Sequence, residues 1–185
     1  MILVGVPCTE YIKTRTTFAL FNLALKEKDL KLTMQMSCDV AYNRNQIVEQ
    51  ALREGHSHLL FIDSDVSFEA TALERLLKHD KDIVATAYNF RKLPLESVVM
   101  PLDSKDKNKA LPVELFEAAS AGTGVMLIKT EVFKKIDKPW FKFEYLDGER
   151  ISSEDVRFCV LAREAGFKIW VDPTIPVNHV GEYLY

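Results

Sequence analysis

Between His58 and Ile62 the chain reads His-Leu-Leu-Phe-Ile, five bulky and almost uncharged residues. It then turns acidic twice in three positions, at Asp63 and Asp65. A run this short and this apolar fits a strand buried on both faces of a sheet, and so requires a covering layer on each side. Carboxylates are rare at the end of such a strand, and two of them spaced i, i+2 point to the same side of an extended chain. In open α/β sheets ligands bind at the carboxyl ends of the strands. Paired aspartate oxygens there suit a hard divalent cation that holds phosphates.

The flanking sequence supplies the rest of such a sheet. Residues 2–6 read as a first buried strand stopped by Pro7, and 14–26 carry Phe18, Leu20, Phe21 and Leu25 at helical spacing. Residues 30–36 alternate like a strand. Asp39 is placed to cap a helix through Ile47, Val48, Ala51 and Leu52, with Gly55 as its stop. After the acidic pair, Ser67 is the expected N-cap of a helix bearing Leu73, Leu76 and Leu77, and 82–87 read as a further strand. Strands alternating with helices predict βαβ units and a mostly parallel sheet.

The second half is looser. Residues 91–112 hold Pro94, Pro101 and the charged run 103–109, which reads as a solvated loop or a flap over a site. Strands are expected at 113–119 and 125–129 around the small-residue turn Ala121-Gly-Thr-Gly124, then a short helix over 130–136. Residues 142–150 read as a polar, irregular approach to a helix capped by Ser152 or Ser153 and closed by Gly166. Short strands at 168–171 and 175–177 finish the chain. No internal repeat or linker divides it, so 1–185 is expected to form a single domain.

Bulk properties exclude some classes. With 185 residues, 48% of them hydrophobic, the chain can bury a full core. A net charge of -3 argues against a nucleic-acid partner, since phosphate-backbone affinity rests on clustered Lys and Arg. An acidic chain that binds an anionic ligand needs a metal ion or a few placed bases. The cysteines Cys8, Cys38 and Cys159 lack metal-ligand spacing and read as buried thiols of a reducing compartment. No run approaches the roughly 20 apolar residues of a membrane span, and the N-terminus does not read as a signal peptide. A soluble, cytoplasmic domain is the expectation.

Four groups of residues are candidates for chemistry. Asp63 and Asp65 come first, because Ser67 leaves them no capping task. A phosphatase of the HAD class also places DxD after a buried strand, but on its first strand rather than its third, and no later GDxxxD motif follows here. Second, Ser152-Ser-Glu154-Asp155 opens a helix. Acids there offset the helix dipole by about 0.3–1 kcal/mol, and one beside a substrate hydroxyl can serve as general base. Third, His179 follows a strand and offers a neutral imidazole to a divalent metal. Fourth comes the basic set Lys13, Arg15 and Arg44: Lys13 and Arg15 read as ordinary loop residues, whereas Arg44 is placed to face the sheet edge and offer a diphosphate its planar fork of donors. Gly122-Thr123-Gly124 is no phosphate-binding fingerprint; its glycines suit a tight turn or close approach of a sugar to backbone.

Taken in order, these residues resemble a known family. VGVPCTE on the first strand, Asn43-Arg-Asn45 after the second, DSD after the third, GTGVMLIK, the SED helix and the final His resemble a glycosyltransferase of the A-type fold, closest to family 2. The resemblance covers nearly the whole chain. It implies that Pro7, Thr9 and Asp39 line the nucleotide base, with Arg44 near the base or diphosphate. It implies that Asp63 and its neighbour Ser64 touch the ribose or metal-bound water, that Asp65 and His179 hold Mn²⁺ or Mg²⁺ with Asp63 as a further ligand, and that Thr123 and Glu154 sit by the sugar or acceptor. Asp155 would be the general base.

The implied activity is metal-dependent transfer of a sugar from a UDP- or GDP-linked donor to a glycan, lipid or protein hydroxyl, by inverting single displacement. Some A-type enzymes retain configuration and need no base, so inversion rests on Asp155. The chain ends six residues after the His, without the C-terminal acceptor module or membrane helices that many members of the family carry, and its lack of the QxxRW motif of processive synthases argues against a polymerising enzyme. Two other readings stand beside this one: the HAD-type phosphatase or phosphotransferase, and a non-catalytic nucleotide-sugar-binding module.

Overall fold

The structure is a computed structural model that describes residues 1–103 and 110–181. Most of the charged run and the terminal Tyr183-Leu-Tyr185 therefore lie outside the described residues. The first half runs β1 (Ile2–Cys8), α1 (Thr14–Lys26), β2 (Leu30–Met36), α2 (Val40–Arg53), β3 (His58–Ile62), β4 (Val66–Phe68), α3 (Ala72–Lys78) and β5 (Ile83–Thr86). The second runs β6 (Met100–Pro101), β7 (Phe116–Ser120), β8 (Val125–Lys129), α4 (Thr130–Lys134), β9 (Glu144–Leu146), β10 (Glu149–Ser152), α5 (Glu154–Glu164), β11 (Ile169–Asp172) and β12 (Val177–His179).

Eight strands form the main sheet, in the order β2-β1-β3-β8-β5-β11-β7-β6. β1 is parallel to both β2 and β3, and β11 is parallel to β5. β8 is antiparallel to β3 and β5, and β7 is antiparallel to β11 and β6. All strands except β8 and β7 therefore point one way, as the sequence led us to expect. The sheet is nevertheless mixed, because β8 is driven between β3 and β5. The segments at 113–119 and 125–129 do not pair with each other; they land on opposite sides of β5 and β11.

The central strands alternate between two cores. Leu59 and Phe61 pack with Ile47, Val48, Phe133, Phe141 and Phe158 on the face covered by α2, α4 and α5. Leu60 and Ile62 pack with Leu20, Leu23, Leu73 and Leu76 on the face covered by α1 and α3. Burial on both faces is why β3 shows no polar alternation. In α1 the buried stripe is Thr16, Ala19, Leu20 and Leu23. Phe18, Phe21 and Leu25, which helical spacing offered to the core, are each about three-fifths exposed on the opposite side.

Three further expectations are corrected. Ser67 caps no helix: it lies in β4, which pairs antiparallel with β12, and α3 starts five residues later after Thr71. The irregular approach at 142–150 is in fact the β9–β10 hairpin, turned by Asp147 and Gly148 with φ of 51° and 84°. Two consecutive positive φ values make the tight turn that Asp-Gly favours. Cys8 and Cys159 are buried but Cys38 is exposed. Among the described residues no helix is long and apolar enough to cross a membrane.

Candidate functional site

The carboxyl ends of β1, β2 and β3 open onto a cavity of about 800 Å³. Pro7, Thr9, Arg44, Asp63, Ser64, Asp65, Glu154 and His179 all line it, so most of the residues singled out in the sequence meet in one place. Tyr11, Cys38, Asn43 and Arg91 line it too, and none of these had been assigned a ligand role. Three expected residues are not on the wall. Asp39 accepts a hydrogen bond from the Tyr42 amide at 3.0 Å and so acts as the α2 cap. Thr123 is buried behind the wall, its hydroxyl without a partner among the described residues. Asp155 lies in the first turn of α5, beside Glu154. Its Oδ1 accepts hydrogen bonds from the Ser153 hydroxyl and, at 2.8 Å, from the Val156 amide.

The three residues opening α2's second turn frame the cleft. Asn43 donates to the carbonyls of Cys8 (3.0 Å) and Ser37 (3.2 Å), tying the ends of β1 and β2 together. Asn45 donates to the Phe141 carbonyl at 2.7 Å and accepts from its amide at 3.2 Å. Between them Arg44 is buried and forks onto two carboxylates: one Nη donates to Glu154 and the other to Asp63 Oδ1 at 2.7 Å. Burial works against its charge, yet Asp63, Glu154 and Asp155 outweigh that cost and hold the guanidinium ionised. Glu154 is driven the other way: its own burial raises its carboxyl above the ordinary range, with Arg44 opposing and Asp155 adding. Both Nη groups of Arg44 are thus taken by protein carboxylates, while Arg44 itself lines the cavity and its Nε has no partner among the described residues.

Beyond Ile62 the chain turns at residues 63–65, so the two aspartates do not project side by side from a strand. Asp63 goes to Arg44, while Asp65 goes to the other end of the cleft. There Asp65 Oδ1 lies 3.3 Å from His179 Nε2 and Oδ2 lies 3.0 Å from Arg91 Nη1. Burial alone would raise the Asp65 carboxyl; His179 and Arg91 more than offset it and hold it below the ordinary aspartate value. Burial disfavours charge on His179, but Asp65 reverses the balance and raises it.

His179 is fixed in place by its surroundings. Its Nδ1 lies 3.1 Å from the Asn89 carbonyl, an acceptor only, so Nδ1 carries a proton; Nε2–H faces Asp65 Oδ1 in the imidazolium that Asp65 favours, and Nε2 is the nitrogen left for a cation when that proton is lost. The Tyr88 ring packs edge-on against the imidazole, 5.6 Å between centroids. The buried Tyr88 hydroxyl accepts from the Gly124 amide at 2.9 Å. A Cβ at Gly122 or Gly124 would run into that hydroxyl. The glycines flanking Thr123 therefore make room for Tyr88, where the sequence suggested a sugar.

A carboxylate oxygen and an imidazole nitrogen 3.3 Å apart, with the ring's tautomer set from behind, fit two ligands of one divalent cation. Among the described residues no group of three or more His, Cys, Asp or Glu side chains could hold a metal. Two protein ligands leave the remaining positions of any bound cation to water or to a ligand.

No protein-family model matches the chain, and no curated protein sequence matches it. The fold is found in solved structures. The crystal structure of A197 from STIV aligns with a TM-score of 0.73 and 20% identity, covering 98% of this chain and 86% of that one. The inositol-1-phosphate CTP transferase from T. maritima aligns with a TM-score of 0.50 and 9% identity, covering 95% and 88%. At these identities the likeness is one of fold.

Proposed function

We propose that the protein transfers a sugar from a nucleoside-diphosphate sugar to an acceptor hydroxyl, using Mn²⁺ or Mg²⁺. The observation that carries this reading is the Asp65–His179 pair, held at the edge of a sheet-end cavity large enough for a nucleotide sugar. A divalent cation bound there would neutralise charge on the departing diphosphate.

The chain's own residues take the remaining roles. Pro7, Thr9 and the exposed ring of Tyr11 line the end for the nucleoside. Asp63, held and oriented by Arg44, faces the ribose, with Ser64 beside it. The base is Asp155, because Glu154 is already committed to Arg44; standing one residue behind that wall residue, Asp155 takes the acceptor's proton through a water or a shift of the first turn of α5. Single displacement by that base inverts the anomeric centre. Asp63 bound to a buried Arg44 makes a poor aspartyl nucleophile, which speaks against the HAD phosphatase. The likeness to a CTP transferase keeps nucleotidyl transfer as the second reading.

Thermal shift separates these. UDP or GDP with Mn²⁺ should raise the melting temperature, neither should do so without metal, and Asp65→Ala should abolish the metal-dependent part. A shift with CTP alone favours nucleotidyl transfer; no shift with any nucleotide and metal sinks both. Asp155→Asn should leave the shift intact while removing transfer, which a non-catalytic binding module has no means to show.

A further inference from the structure

We propose that Arg91 is a diphosphate-binding residue that exchanges partners: it rests on Asp65 in the free protein and moves to the donor's phosphate oxygens when a cation takes the Asp65–His179 pair. The proposal rests on the nucleotide-sugar reading above and adds to it a residue that no motif marks.

The geometry leads there in three steps. First, Asp65 is fully committed in the free protein, one oxygen to His179 and the other to Arg91. A divalent cation on the same carboxylate would stand within a few ångströms of the guanidinium, where two like charges in a partly buried cleft repel. The carboxylate could serve both through its two oxygens, but the repulsion weakens the Arg91 contact and favours its release. Second, Arg91 is the one built to leave. Its side chain is about half exposed, whereas Arg44 is buried and doubly paired. It stands just past the paired base of an 88–98 hairpin, where Phe90 donates to the Glu96 carbonyl and Val98 to the Tyr88 carbonyl. Beyond that base the turn projects into solvent, with Leu93 and Leu95 each more than three-fifths exposed. Third, of the cleft's cationic side chains Arg44 is tied to Asp63 and Glu154, while Lys13 and Arg91 also line the wall; Arg91 is the one beside Asp65 and His179, and its planar fork fits phosphate oxygens where Lys13 offers a point charge. Its side chain lies over Gly181, so it borders both the main cavity and a neighbouring one of about 840 Å³ between the hairpin and the chain after β12.

Partner exchange makes two predictions of opposite sign for one substitution. With Mn²⁺ alone, titrated by electron paramagnetic resonance of the free ion, Arg91→Ala should bind the cation several-fold more tightly than wild type, because the competitor on Asp65 is gone. Asp65→Ala supplies the baseline. With Mn²⁺ saturating, calorimetry should show UDP or GDP bound about tenfold more weakly by Arg91→Ala, with Arg91→Lys between the two. Unchanged or weaker Mn²⁺ binding by Arg91→Ala overturns the resting contact. Equal nucleoside-diphosphate affinity in wild type and variant overturns the phosphate contact while leaving the glycosyl-transfer reading in place. If wild type with Mn²⁺ binds no nucleoside diphosphate at all, that reading falls and the proposal falls with it.

Discussion

Arg44 and Arg91 do similar chemistry at the two ends of one cleft, each pairing with one aspartate of the acidic turn, yet they are built for different tasks. Arg44 comes from the second turn of a helix, is almost fully buried, and bonds to Asp63 and Glu154 at once. Arg91 comes from a hairpin, is half exposed, and holds Asp65 alone. A buried charge that loses its partners has no solvent to turn to, whereas an exposed one does. The burial of each arginine therefore decides whether it belongs to the frame or to the moving parts.

The largest test of that contrast is Arg44→Ala. Removing the guanidinium strands Asp63 and Glu154 in the wall, and should cost about 3–5 kcal/mol in urea denaturation. A cost near zero would place Arg44 with Arg91 and erase the difference. Gly124→Ala comes next, at about 1–3 kcal/mol, because the new methyl collides with Tyr88. Tyr88→Phe in the same chain should return part of the loss, which a purely conformational glycine effect would not allow.

A third paired charge lies away from the cleft and sharpens the rule through pH. Burial would raise Asp172, but bonds from Thr174 and His79 more than offset it and hold the carboxyl below its ordinary value. A depressed carboxyl contributes stability that is present above the unfolded-state pKa, about 3.9 for aspartate, and is lost as pH falls through the lower folded value. Wild type should therefore lose stability on acidification below that point more steeply than Asp172→Asn, measured as melting temperature against pH. The smallest effect belongs to Arg91→Ala, within about 0.5 kcal/mol of wild type in stability. If it destabilises as much as Arg44→Ala, the hairpin arginine is structural after all.

The same contrast accounts for what could be read in the sequence. β3 and the acidic turn were legible because an apolar run and a carboxylate pair are local signals. So were α1, α2 and α5, through helical spacing, the Asp39 cap and the glycines at 55 and 166. Glu154 and His179 were recognisable by type and position, and the fold does bring them to the cleft. Arg91 was not legible, since its place depends on a hairpin folding back toward a residue near the end of the chain. Thr123 misled because its flanking glycines spoke of space without saying what fills it; the Tyr88 hydroxyl does. The β9–β10 hairpin carries a local signal in Asp147-Gly148, which the surrounding charge masks. Phe18, Phe21 and Leu25 misled for a related reason: spacing identifies a helical stripe, but only packing decides which stripe faces inward.

The antiparallel insertion of β8 has a consequence for how the protein comes to be made. β5 has β8 and β11 as its neighbours in the sheet, and β8 stands between it and β3. A nascent chain released only as far as about residue 100 therefore has β1, β2 and β3 able to pair with one another, but a β5 with nothing to hydrogen-bond. Pairing across that gap waits for residues 125–129, and contacts so distant in the chain slow folding. The nascent N-terminal half should stay open and protease-sensitive until the second half emerges, so that the cleft closes late, around its last strand to arrive.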